Sequence, residues 1–221
     1  TTSVELRQLW GEPTESQQAR DGQVLTFPVK PFTHVDAHLI GDVVNTIVIH
    51  LDEASEVEVT ANRLKLNELR PAQLRDNQGE LQGVTFPERG VSLIFADRSA
   101  DSPQVARVQL QPITAEGFLL RVHGDSNFQW NRNLADLDVA ASLAPGDERI
   151  HWLRSEILTQ QGEYQAAAVA IEKALQTRPD SALYQLSAAN LIALAGNYED
   201  AIAATNAVVQ RESIAPLIKA R

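Results

Sequence analysis

Three residues in the segment THVDAHLI come closest to a chemistry: His34, Asp36 and His38. They alternate, so on an extended strand their side chains share one face. Two imidazoles and a carboxylate are the donor types that hold zinc or another divalent ion. Spacing alone places no further ligand; His50 with Asp52 is the nearest additional pair. The competing reading is a solvated polar strand face, and it is the one preferred. A second set, His123-Gly124-Asp125-Ser126, has the residue types of a hydrolase triad. Sequence neighbours cannot build one, because the triad is a spatial arrangement with its nucleophile on a strained turn. There is no Cys, hence no thiolate ligand or thiol nucleophile. Glycine-rich phosphate loops, the H-E-x-x-H zinc motif and a calcium loop are also missing. No catalytic residue, metal site or cofactor is therefore assigned, and the chain is not expected to be an enzyme.

Charge narrows the partners. The net charge is −10 over 221 residues. Residues 1–125 hold 11 basic and 18 acidic side chains, and residues 126–221 hold 8 and 11. Neither part offers a basic patch to neutralise phosphates, so nucleic acid and anionic lipid are not expected partners. No apolar run approaches the roughly 18 residues of a bilayer span, so membrane insertion is not expected. The chain has no Met and starts at Thr1, which a removed leader and a trimmed chain both explain; of the two, an exported, periplasmic protein is the expectation preferred.

The elements that must position these residues follow from periodicity. In SVELRQLW, Leu6, Leu9 and Trp10 fall on one helical face, with Ser3 as cap and Gly11 and Pro13 as stop. The segments 24–29, 33–40 and 45–51 are rich in β-branched residues and read as strands, with a Gly41-Asp42 turn between the last two. Residues 61–69 read as a helix, and 91–95, 106–113 and 118–122 as strands. Residues 1–51 and 61–113 thus both read as a helix followed by strands. The pairs LRQLWGEP with LKLNELRP, VLTF with VSLIF, and NTIVIHL with RVQLQPI hint at an internal duplication. The turn formers Gly124, Asp125, Ser126 and Asn127 close this domain at residue 125.

The rest is helical and periodic. Gly162, Tyr164 and Ala167 recur 34 residues later as Gly196, Tyr198 and Ala201. Gly supplies the turn between two antiparallel helices, and Ala sits where the helices must approach closely. Ser155 and Ala189 are the matching small residues of the preceding helices, and Pro179 breaks to the next unit.

On these residues the segment 148–215 resembles two tetratricopeptide (TPR) repeats, 148–181 and 182–215. A partial unit at 131–145 precedes them, and a truncated or capping helix at 216–221 follows. Departures from the pattern are His151 at the usual aromatic position, Arg154 at a usual apolar one, and Ser213 for the closing Pro. The N-terminal helix ending in Gly11-Glu12-Pro13, with its meander, resembles the small domains of BamE (SmpA/OmlA)-type outer-membrane lipoproteins.

The expected fold class is α+β: a mainly antiparallel β domain (1–125) with one or two short helices, then an all-α TPR helical-repeat domain (126–221). The TPR resemblance implies a non-catalytic scaffold binding a peptide or protein surface. Its groove would be lined by Arg149, Trp152, Glu156, Gln160, Leu186, Asn190 and Leu194. Clamping of a partner's C-terminal carboxylate is not expected, since only Arg149 and Asn190 suit it. The alternative is a metal-binding or hydrolytic N-terminal domain that uses the repeats as a docking arm.

Overall fold

The computed structural model describes residues 1–96, 103–124 and 129–219, with side chains through Arg211 in the last helix. The chain divides into two compact units, Thr1–Arg121 and Val122–Arg221.

The first unit opens with helix α1 (Ser3–Trp10). Thr2, not Ser3, is its cap: Thr2 Oγ1 accepts from the Glu5 N–H while the Glu5 carboxylate accepts from the Thr2 N–H, a reciprocal capping box. Four strands follow, β1 (Glu15–Ala19), β2 (Gly22–Phe27), β3 (His34–Ile40) and β4 (Val43–Glu56). Next come α2 (Val57–Arg63) and four more strands: β5 (Ala72–Arg75), β6 (Leu81–Phe86), β7 (Val91–Phe95) and β8 (Gln104–Leu110). All eight form one antiparallel sheet in the order β1-β2-β3-β4-β8-β7-β6-β5, so the two meanders join through the β4–β8 pair.

Each helix covers its own meander. Leu6 of α1 packs with Leu25, Phe27, Ala37 and Leu39, and Trp10 meets Phe27 edge-on at 5.4 Å. Ala61 of α2, with Leu66, packs on Phe86, Val91, Leu93, Val105 and Val108. By element order the counterpart of β2 is β6, not β7: GQVLTFP of the one parallels LQGVTFP of the other. The pairing of VLTF with VSLIF therefore sets strands one position apart.

The expected fold class is corrected here. In place of a β domain with one or two short helices stands, among the described residues, a single eight-stranded sheet with the three α-helices α1, α2 and α3 (Ala115–Gly124). The segment Phe118–Val122, expected as a strand, lies within helix α3. Ala115, Phe118, Leu119 and Val122 are buried, at i, i+3, i+4 and i+7, which is a helical period. A short apolar run such as FLLRV carries no period of its own, and only the tertiary face decides it. Inside α3, Arg121 is buried and pairs with Glu88 at 2.8 Å. Strand β1, ESQQA, is exposed along its whole length, as suits a polar edge strand, so it left no apolar alternation to read.

The second unit contains α4 (Trp130–Leu143), α5 (Glu148–Gln160), α6 (Tyr164–Thr177), α7 (Ala182–Leu194) and α8 (Tyr198–Lys219). Helix α8 runs unbroken through Pro216, where a separate helix was expected to start. Helices α5 and α6 form one hairpin and α7 and α8 another. Their turns use Gly162 at φ 79° and Gly196 at φ 89°, a backbone region open to Gly at little cost. Ala167 and Ala201 are buried at the helix contacts, as are Ser155 and Ala189 one helix earlier.

Candidate functional site

Helices α5 and α7 lie side by side and are tied by polar bonds. The Trp152 indole N–H donates to Ser187 Oγ at 3.2 Å, and the Ser187 hydroxyl donates to Glu156 Oε1 at 2.8 Å. Below this tie, Trp152 packs with Ala167, Ile171, Ala174, Tyr184 and Leu191. Both helices start on side-chain caps: Asp147 accepts from the Arg149 N–H, and Ser181 from the Tyr184 N–H. These devices fix the azimuth of α5 and α7, and so fix which residues face out.

The expected groove residues follow the helical stripe but do different jobs. Arg149 is exposed, and its guanidinium grips the Asp147 carboxylate at 3.0 and 2.7 Å. That contact, more than any other, holds the Asp147 carboxyl below the usual carboxylate range. Trp152 and Glu156 are half-buried and engaged by Ser187. Gln160 is exposed at the end of α5, while Leu186, Asn190 and Leu194 are exposed at i, i+4 and i+8 on α7. The atypical Arg154 is explained by an ion pair with Asp138 of α4 at 2.6 Å. Tyr164 and Tyr198, which recur with the turn glycines, are 41% and 68% exposed.

Beside the α7 stripe lies an open groove of about 430 Å³, lined by Leu186, Ala189, Asn190 and Ala193 of α7 and by Tyr198, Ala201 and Ile202 of α8 among others. Subtracting 34 from Leu186 and Ala201 gives Trp152 and Ala167, which belong to the core cluster that includes Tyr184 and Leu191 of α7. The groove is therefore the second hairpin's copy of the face on which the first hairpin receives a helix. The α8 wall and Ser187 were not among the expected site residues; applying the 34-residue shift to the buried partners of Trp152 would have pointed to that wall.

In the first unit, His34, Asp36 and His38 do share one face of β3, opposite the buried Val35, Ala37 and Leu39. His38 pairs across the strands with Val24 and Thr46, and is not part of the cluster that forms. His50 takes its place, because the register sets it directly opposite His34. Burial, and next the neighbouring His34, hold His50 below the ordinary imidazole range against the pull of Asp36. Of the set His123-Gly124-Asp125-Ser126, Asp125 and Ser126 lie outside the described residues.

No family model matches the chain, and no curated protein matches it. Nothing supports the resemblance to BamE-type domains. Solved structures to which the chain is similar include a crystal structure of MamA, 16% identical with a TM-score of 0.41, over 45% of this chain and 59% of that one. A Thermobaculum terrenum O-GlcNAc transferase mutant is 18% identical with a TM-score of 0.40, over 43% of this chain and 19% of that one. The TPR2B domain of yeast Sti1, in its pHsp70 complex, is 20% identical with a TM-score of 0.40, over 48% of this chain and 90% of that one. The chain thus spans 59% of the MamA chain and 19% of the transferase, and the Sti1 structure it is similar to is a TPR domain.

Proposed function

We propose that the chain is a non-catalytic interaction protein whose helical hairpins bind a peptide or protein surface along α7 and the groove that α8 closes beside it. One observation carries this reading: large apolar side chains stand in solvent around that groove. Leu186 is 40% exposed, Leu194 44%, Ile202 61% and Tyr198 68%. Covering such surface favours association by about 25 cal/mol per Å² of apolar area, and a contiguous exposed apolar patch marks interaction sites on folded proteins. The groove lining carries no charged side chain, so it suits apolar side chains of a partner, with Asn190 and Asn206 as polar anchors. Arg149 is committed to Asp147, which leaves no ready clamp for a terminal carboxylate.

Panning a random peptide library against the whole chain, followed by fluorescence anisotropy on the selected peptides, tests the reading. Leu186→Glu and Ile202→Glu should each weaken binding at least about tenfold, the loss expected when a charge is forced into an apolar contact. Val169→Glu, at an exposed site on α6, should leave binding unchanged. Peptides held equally by all three variants would place the interaction elsewhere. The second reading, a metal-binding first unit with the hairpins as docking arm, is favoured by the convergence of His34, Asp36 and His50.

A further inference from the structure

The first sheet carries a cluster that the helical groove does not use. Register brings it together. His34 of β3 stands directly opposite His50 of β4, and their rings stack at 3.9 Å with planes 22° apart. Asp36 lies two residues along the same strand and so faces the same way. Its Oδ2 is 3.0 Å from His50 Nε2 and 3.6 Å from His34 Nε2. The three donor atoms all lie within 4.8 Å of one another.

We propose that His34, Asp36 and His50 bind a divalent first-row transition-metal cation of the zinc class, through the two Nε2 atoms and Asp36 Oδ2, with the remaining coordination positions open to solvent.

Geometry supports the assignment first. Zinc bonds of about 2.0–2.1 Å in a tetrahedron set ligand atoms about 3.3 Å apart, and the 3.0 and 3.6 Å separations bracket that value. The rings now stack nearly parallel, so ion binding requires them to tilt out of the stack until both lone pairs converge on one point. His50 Nε2 now stands at hydrogen-bond distance from Asp36 Oδ2, and binding a cation through Nε2 requires the ring in its Nδ1–H tautomer.

The carboxylate is already oriented. Thr26 stands opposite Asp36 on β2, and its hydroxyl donates to Asp36 Oδ1 at 2.7 Å. That bond holds one oxygen and turns the other towards the imidazoles, the usual part of a residue behind a ligand. All four residues sit on strands of one sheet rather than on loops, so the set is rigid.

Space and charge agree. An open pocket of about 450 Å³ adjoins the cluster, lined by His34, Asp36, Thr26, Thr14, Glu15 and Gln17 together with Val24. It gives room for water or another ligand at the open positions. Glu15, across from Thr26 on β1, adds negative charge to the same pocket. Arg107 of β8, across from His50, is the opposing cation and lies outside the donor set. Asp36 is 19% exposed and His50 24%, so ligand charges are only partly screened by water. Two imidazoles with one carboxylate disfavour calcium and magnesium, which take oxygen ligands.

Titration of the whole chain with zinc chloride, followed by calorimetry, tests the site. Wild type should bind one ion saturably. Asp36→Asn and His50→Ala should weaken binding by about a hundredfold or more, and Thr26→Val by roughly tenfold, as for loss of a residue behind a ligand. His38→Ala, on the same face but outside the cluster, should bind as wild type. Far-UV circular dichroism checks that each variant keeps its fold. Imidazole nitrogen resonances of the wild-type protein decide the matter even if a variant misfolds: zinc should shift Nε2 of His34 and His50 and leave His38, His123 and His151 in place. No saturable binding by wild type, binding unaltered in both Asp36→Asn and His50→Ala, or shifts confined to the other three histidines would overturn the proposal.

Discussion

Trp152 on α5 donates its indole N–H to the hydroxyl of Ser187 on α7, at 3.2 Å. Because that hydroxyl also donates to Glu156 at 2.8 Å, one small side chain serves two partners across the hairpin boundary. Trp152→Phe keeps a ring but removes the donor, and is expected to cost about 1 kcal/mol. Ser187→Ala strands both the indole and the carboxylate in a half-buried place, and is expected to cost more, about 1–3 kcal/mol. Urea unfolding followed by circular dichroism measures both; equal losses would show that the Glu156 contact contributes nothing.

Ala167 is fully buried at the α5–α6 contact and in the cluster that meets α7. A larger side chain there must push two helices apart. Ala167→Leu is expected to destabilise the helical unit by about 1–3 kcal/mol. Ala166→Leu, on an exposed position one residue earlier, should change stability by no more than about 0.5 kcal/mol. Thermal melts of the two variants side by side provide the comparison.

Asp147 caps α5 and is bonded to Arg149. Asp147→Ala is expected to cost about 1 kcal/mol, typical for removing an N-cap, and Asp147→Asn much less because it keeps an acceptor. The Asp147 carboxyl titrates below its unfolded value of 3.8, chiefly through the Arg149 hydrogen bond. Its contribution is therefore present above that pH and is lost as pH falls through the lower folded value. Unfolding curves of wild type and Asp147→Asn should converge in that acid range.

His151 on α5 is held below the ordinary imidazole range by burial, then by Lys173 and Arg154. The unfolded ring, at its ordinary value of 6.5, takes up a proton before the folded one does. Between the two values the unfolded state binds more protons, so stability falls as pH drops below 6.5 and levels off below the folded value. His151→Gln should remove that share of the slope, seen as a smaller change in melting temperature between pH 7 and pH 5. An unchanged slope would place the proton uptake on another group.

Some of this was legible in local chemistry. The turns at Gly162 and Gly196, the buried Ala167 and Ala201, and the helix Tyr164–Thr177 follow from residue type and spacing. Other features were not. FLLRV has no period of its own and reads as a strand by composition, though it lies in a helix, while the polar strand Glu15–Ala19 carries no strand signal because an exposed edge needs no apolar alternation. The groove stripe was placed by position, yet Trp152 and Glu156 are engaged with Ser187, a partner 35 and 31 residues away that spacing does not name.

What the sequence determined by itself is what depends on nearest neighbours: a 34-residue period, the positive-φ turns and the small residues at helix contacts, each set within a few residues of chain. Tertiary structure decided the rest, because strand register is a relation between distant segments. His34 and Asp36 were readable as a pair on one strand face, but only the β3–β4 pairing exchanges His38 for His50 and sets Thr26 behind the carboxylate. A shift of one residue in that pairing would send every side chain to the other face and dissolve the cluster.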